Sequence, residues 1–152
     1  VPVRDTPTLF VRSSRPRRMD DSELLERARE ALDAAYVPYS EYAVGAALET
    51  ADGTVYTGCN VEIANYSNSL HAEEVALGTA VREGHRSFER VAVSSAKRDG
   101  VTPCGMCRQS FAEFCDEDFV VICEGEAESP PVEYRLGDLL PETITREMVI
   151  DE

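Results

Sequence analysis

Two short segments, His71-Ala72-Glu73 and Pro103-Cys104-Gly105-Met106-Cys107, carry an imidazole, a carboxylate and two thiols, and any fold that uses them together must bring the two segments to one point. One imidazole and two thiolates form a soft donor set that suits zinc. Structural zinc sites close with four protein ligands, whereas catalytic sites keep three and leave the fourth position for water. His71, Cys104 and Cys107 therefore point to a catalytic metal. Pro103 ends a loop just before a predicted helix, so Cys104 and Cys107 fall in its first turn, where the helix dipole and unpaired N–H groups favour thiolate. His71 begins another helix. Glu73, two residues on, points to a different side and reads as a proton carrier beside the metal-activated water.

The five cysteines, Cys59, Cys104, Cys107, Cys115 and Cys123, are an odd number, which argues against a disulfide framework and for metal binding. With 152 residues, 43% of them hydrophobic, the chain can bury one core but is too short for two ordinary domains. No apolar run approaches the roughly 20 residues of a membrane-spanning helix, and the N-terminus lacks a secretory signal, so the expectation is a soluble cytoplasmic protein. A net charge of -14 disfavours binding to polynucleotide phosphates and favours a small neutral substrate. Lys97 is the only lysine, and acidic residues outnumber basic ones 29 to 15, a balance that suggests adaptation to a saline cytoplasm.

Composition changes near Met19. Residues 1 to 18 hold five arginines and a single acid, together with Pro2, Pro7 and Pro16, and have no periodic apolar face. They read as a basic, disordered or non-native extension, leaving 19 to 152 as the domain. From Asp20, the residues Leu24, Leu25, Ala28, Ala31, Leu32 and Ala35 make a helical stripe closed by Pro38. Strands are predicted at 42–49 and 54–57 around an Asp52-Gly53 hairpin turn. A helix follows at 71–82, a buried strand at 91–94, a helix at 104–115, and strands at 119–123 and 132–134. The fold class is α/β: a mixed five-stranded sheet sandwiched by helices in three layers.

The order His-x-Glu then Pro-Cys-x-x-Cys is the signature of zinc-dependent deaminases. The stretch from Tyr36 through Tyr39-Ser40-Glu41-Tyr42 to Leu48 resembles the opening motif of cytidine deaminases. Gly58-Cys59-Asn60-Val61-Glu62 resembles their nucleoside-binding motif, and Pro103 to Gln109 with Ala112-Glu113-Phe114 their second ligand helix. The resemblance runs from about Tyr36 to Pro141. It implies that Asn60 and Glu62 bind the ribose, that Tyr42, where the family usually has Phe, lies near the base pocket, and that Ala72 lines the substrate. It also implies a small homotetrameric enzyme with active sites at subunit interfaces. The reaction is then hydrolysis of cytidine or deoxycytidine to uridine or deoxyuridine plus ammonia, with a Zn²⁺-activated water and Glu73 as proton shuttle.

Two residues depart from the pattern. Small members often carry an arginine that offsets three thiolates, whereas here Glu74 occupies that place. His71 replaces one thiolate, so two thiolates already balance the ion. Ile144 stands where a Phe usually reaches a neighbouring pocket, forgoing ring stacking of about 0.5 to 1.5 kcal/mol. Other readings are a deaminase of a modified or antibiotic nucleoside, an adenosine deaminase acting on tRNA, and a zinc-stabilised binding module closed by Cys59, Cys115 or His85.

Overall fold

The computed structural model describes residues 17–126 and 128–150. The expectation for residues 1–16 lies outside them. Arg17 and Arg18 are described, and they form ion pairs with Glu23 and with Glu49 and Glu89.

Asp20 starts α1 (Asp21–Ala31) through a capping box: it accepts from the Glu23 amide at 2.8 Å while its own amide donates to the Glu23 carboxylate at 2.8 Å. Such caps contribute about 1 kcal/mol. Leu24, Leu25 and Ala28 are buried, but the α-helix stops at Ala31 and tightens into a 3-10 turn at Leu32–Ala34, short of the expected Ala35. The chain needs that early turn so that Tyr36 can pair with Val61.

Strands β1 (Val44–Thr50) and β2 (Val55–Cys59) form the predicted hairpin, with Gly53 at φ 89° in its turn. After α2 (Ala72–Arg82), β3 (Phe88–Ser95) pairs antiparallel with β1. It is longer than its apolar run because Arg90 is buried in it, donating to Glu49, Asp21 and the Met19 carbonyl. A buried cation persists only with such partners. Past α3 (Gly105–Ala112), β4 (Val120–Cys123) lies parallel to β3 and β5 (Val132–Arg135) antiparallel to β4. A short α4 (Leu136–Leu139) follows. The sheet is mixed and five-stranded in the order β2-β1-β3-β4-β5.

Side chains alternate across a strand, so each central strand feeds both layers. Ala47, Ala92 and Ile122 pack with Leu24, Leu25 and Ala28 of α1. Ala46, Leu48, Val91, Val93 and Val121 face the opposite way, onto Ala72, Ala76 and Ala80 of α2 and Phe111 of α3. The helices that carry the two chemical motifs therefore share one face of the sheet. α3 ends at Ala112 rather than reaching Cys115, whose amide closes back on the Phe111 carbonyl at 2.8 Å.

Gly58 sets how closely α2 approaches. A Cβ there would lie 2.2 Å from the Ala72 carbonyl oxygen and 2.6 Å from the Ala76 amide nitrogen, both backbone atoms that cannot step aside alone. Gly58→Ala is expected to cost about 3 kcal/mol by overpacking, read as a lower urea midpoint at unchanged slope. A loss under about 1 kcal/mol would mean that α2 retreats without penalty.

Candidate active site

The two motif segments meet at helix N-termini. His71 is the N-cap of α2, with extended backbone, and its carbonyl accepts from the Val75 amide at 3.0 Å. Cys104 is the N-cap of α3, accepting from the Arg108 amide at 3.0 Å, and Cys107 sits in the first turn. The His71 Nδ1 atom lies 3.1 Å from Cys104 Sγ and 3.3 Å from Cys107 Sγ. All three ligand atoms fall within 4.8 Å of one another. A nitrogen and a sulfur sharing one tetrahedral zinc stand about 3.5 Å apart, so the donor set and its spacing both fit that ion.

Charge gives the same answer. Cys107 is buried, and burial pushes its thiol well above the ordinary range, with the nearby Glu73 and Cys104 charges adding to the effect. Such a thiol ionises only when a cation compensates it, which a divalent ion and the two helix dipoles do. Cys104 is exposed and His71 half-buried, so the group is open on one side. Among the described residues it contains His71, Cys104 and Cys107 and no fourth ligand. Cys59, Cys115 and His85 do not join it, which removes the basis for the closed four-ligand module.

Glu73 is 5% exposed, in the first turn of α2. Burial raises its carboxyl above the usual carboxylate range, against the opposing pull of its own amide and of the Cys107 thiol. A carboxyl whose proton affinity is raised by burial beside a group of metal-ligating side chains is suited to accept and return a proton. Glu74 turns away toward α3, accepting from the Ser110 hydroxyl at 3.2 Å.

Segments 36, 60–62 and 70 run side by side, through bridges from Val61 to Tyr36 and to Leu70, and this sets Asn60 and Glu62 next to the strand entering His71. Their polar atoms already serve the backbone. The Asn60 Oδ1 accepts from the Val44 amide at 2.9 Å and its Nδ2 donates to the Tyr42 carbonyl at 2.8 Å. One Glu62 oxygen accepts from the Tyr39 and Ser40 amides, at 3.2 and 3.1 Å, and bonding from Ser40 lowers its pKa. Each keeps spare capacity: the second Nδ2 hydrogen of Asn60, and the second oxygen of an ionised Glu62. Ala72 is fully buried and its side chain belongs to the core under α2. The Tyr42 hydroxyl donates to Asp99. Ile144 is exposed, its carbonyl accepting from Gln109 Nε2 at 3.0 Å. It lines a groove of about 1170 Å³ between the end of α3 and the C-terminal segment, away from the ligand group.

Arg108 is a site residue that sequence reasoning left without a role. Its guanidinium donates to the Pro103 carbonyl at 2.6 Å, the Leu139 carbonyl at 2.7 Å and the Thr102 hydroxyl at 3.0 Å, fixing the loop that delivers Cys104. A basic residue directly after the second thiol was the available signal, but its carbonyl partners are visible only in three dimensions.

The family described as the cytidine and deoxycytidylate deaminase zinc-binding region matches residues 18–123. A cytidine deaminase of Sporosarcina psychrophila is 42% identical over 132 residues, covering 85% of this chain and 94% of the relative. One from Halalkalibacterium halodurans is 41% identical over 133 residues, covering 88% and 100%. The crystal structure of cytidine deaminase from Burkholderia pseudomallei superposes with a TM-score of 0.78 at 38% identity, covering 83% of this chain and all of that one. Two helix N-termini that present one imidazole, two thiols and a buried carboxylate on a sheet of this order thus carry a shared ancestry, and the chain belongs to the zinc-dependent cytidine deaminase family.

Proposed function

We propose that the chain hydrolyses cytidine and deoxycytidine to uridine and deoxyuridine with release of ammonia. The observation that carries this reading is the buried, raised-pKa Glu73 packed against the His71, Cys104 and Cys107 group. These three residues would hold a zinc ion, which would supply Lewis acidity that lowers the pKa of a water toward neutrality. Glu73 accepts one proton of the attacking water as it adds to C4 of the base and passes it to N3, then takes the remaining proton from the new C4 hydroxyl and delivers it to the amine as the C4–N bond breaks, leaving ammonia and the C4 carbonyl of uridine. Asn60 and Glu62, held by the backbone of 39–44, use their spare capacity on the ribose hydroxyls. Tyr42 contributes to the base end of the pocket, whereas Ala72, fully buried in the core under α2, supports the start of that helix and does not reach the substrate with its side chain.

Steady-state kinetics with cytidine, deoxycytidine, adenosine and free cytosine test the assignment. The expected result is turnover of the two cytosine nucleosides and none of adenosine, with cytosine poorer because it lacks the ribose contacts. Faster turnover of a modified nucleoside than of cytidine would transfer the assignment to that substrate.

The same reading includes a homotetramer in the cytoplasm, working in pyrimidine salvage. Exposed apolar side chains flank the ligands, with Leu70 before His71, Met106 between the two thiols and Tyr36 and Tyr66 beside the nucleoside segment. Covering them by other subunits would exclude water from an otherwise open site. Among the described residues, no helix is long and apolar enough to cross a membrane. The mass in solution tests the assembly, and melting in rising KCl tests the salt adaptation inferred from the acidic composition. A monomer, or a melting point indifferent to molar salt, would remove the corresponding element.

A further inference from the structure

The loop at 96–103 runs from the end of β3 directly to the ligand Cys104, and both its ends are fastened. At the far end Arg108 holds Thr102 and Pro103. At the near end the Tyr42 hydroxyl lies 2.9 and 2.8 Å from the two Asp99 carboxylate oxygens, and the buried Ser95 hydroxyl donates to the same carboxylate at 2.8 Å. Between these anchors, Arg98 and Gly100 take left-handed backbone angles, φ 47° and 72°. A non-glycine residue keeps such a conformation only where its surroundings impose it. The Lys97 ammonium lies 5.4 Å from the Tyr42 ring centroid, a cation on the ring face that closes the same turn. Tyr42 is itself held: its carbonyl accepts from Asn60 Nδ2 at 2.8 Å and its amide donates to the Ser40 hydroxyl at 3.0 Å.

We infer that the Tyr42 hydroxyl is a positioning group, which through Asp99 latches the 96–103 loop, so that the nucleoside-binding segment and the metal ligand Cys104 keep a fixed relation. A phenylalanine at this position has no atom that could make this bond, so the latch depends on the Tyr42 hydroxyl itself. Its chemistry is a phenol donating to a carboxylate that hydrogen bonding from Tyr42 and Ser95 holds below its ordinary pKa, and therefore ionised at neutral pH.

The inference rests on the zinc-dependent deaminase reading, and its test has a readout independent of turnover. Zinc-loaded protein is mixed with excess chromophoric chelator and the first-order rate of zinc release is followed, with cytidine kinetics measured in parallel. Tyr42→Phe and Asp99→Ala should each speed release about tenfold, the scale of one hydrogen bond to a charged group, and raise KM for cytidine more than they lower kcat. The double variant should be no faster than Asp99→Ala alone, because the bond that Tyr42→Phe removes is already lost with the carboxylate, which also frees the Ser95 hydroxyl. Asp99→Asn, which keeps an acceptor for the phenol, should be the mildest. Val120→Ala, on the α1 face away from the loop, controls for stability and should leave release unchanged at a comparable loss of melting temperature. Unchanged release in Tyr42→Phe, or additive effects in the double variant, overturns the latch. A parent protein inert toward cytidine overturns the substrate reading instead, while the zinc-release comparison stays readable.

Discussion

Glu73→Gln should lower kcat for cytidine by about 10²- to 10⁴-fold, the range that one positioned proton carrier supplies, with zinc content unchanged. The amide matches the carboxylate in size, so the packing of α2 on the sheet is kept, and Glu73 lies outside the ligand group. What is lost is the capacity to accept a proton and return it. The melting temperature adds a second reading. Burial raises the folded-state pKa of Glu73 above its unfolded value. Its contribution to stability is therefore fullest at acid pH and is lost as pH rises through the folded pKa, so at pH 7 an ionised Glu73 is a burden on the fold. The variant should melt no lower than the parent in zinc-free protein at pH 7. Turnover within tenfold of the parent would remove Glu73 from the reaction.

Stripping zinc with a chelator should abolish turnover to below about 1% of the starting rate, with recovery when zinc is restored and the far-UV signal of the sheet and helices kept throughout. The physical reason is where the stabilising burial lies. One cluster joins α1 to Ala47, Ala92 and Ile122, and the other joins α2 and Phe111 to Ala46, Leu48, Val91, Val93 and Val121. Neither needs the ion. Zinc binds the folded arrangement far better than the unfolded chain, so its removal should still lower the melting temperature by mass action. Collapse of the secondary structure on chelation would instead mark the metal as structural, with folding and binding inseparable.

Much of this is legible in the sequence. The periodicity of Leu24, Leu25 and Ala28, the Asp52-Gly53 turn and the apolar runs at β3 and β4 are local signals, and local signals survive into the fold because a strand or helix buries the face its own spacing creates. The same holds for the metal group. Imidazole and thiol identity decides which ion is preferred, and a proline before the first thiol places both sulfurs at a helix start. Relations between segments were not legible in this way. The α1 stripe runs to Ala35 on paper, but the helix ends at Ala31 because the chain must turn to let Tyr36 pair with Val61. The apolar run of β3 begins at Val91 in the sequence, yet the strand starts at Phe88 and passes through Arg90 because Glu49 and Asp21, distant in sequence, meet its charge.

The site divides along the same line. Residue chemistry by itself determined which atoms can ligate zinc and which carboxylate can carry a proton, since those are properties of side chains. Only the tertiary structure decided that His71 Nδ1 and two sulfurs come within 4.8 Å, that burial raises Glu73, and that Arg108 and the Tyr42 to Asp99 bond fasten the loop before Cys104. Distances, dielectric surroundings and hydrogen bonds to carbonyls depend on which segments pack together. Sequence spacing carries that information only where the segments are neighbours along the chain.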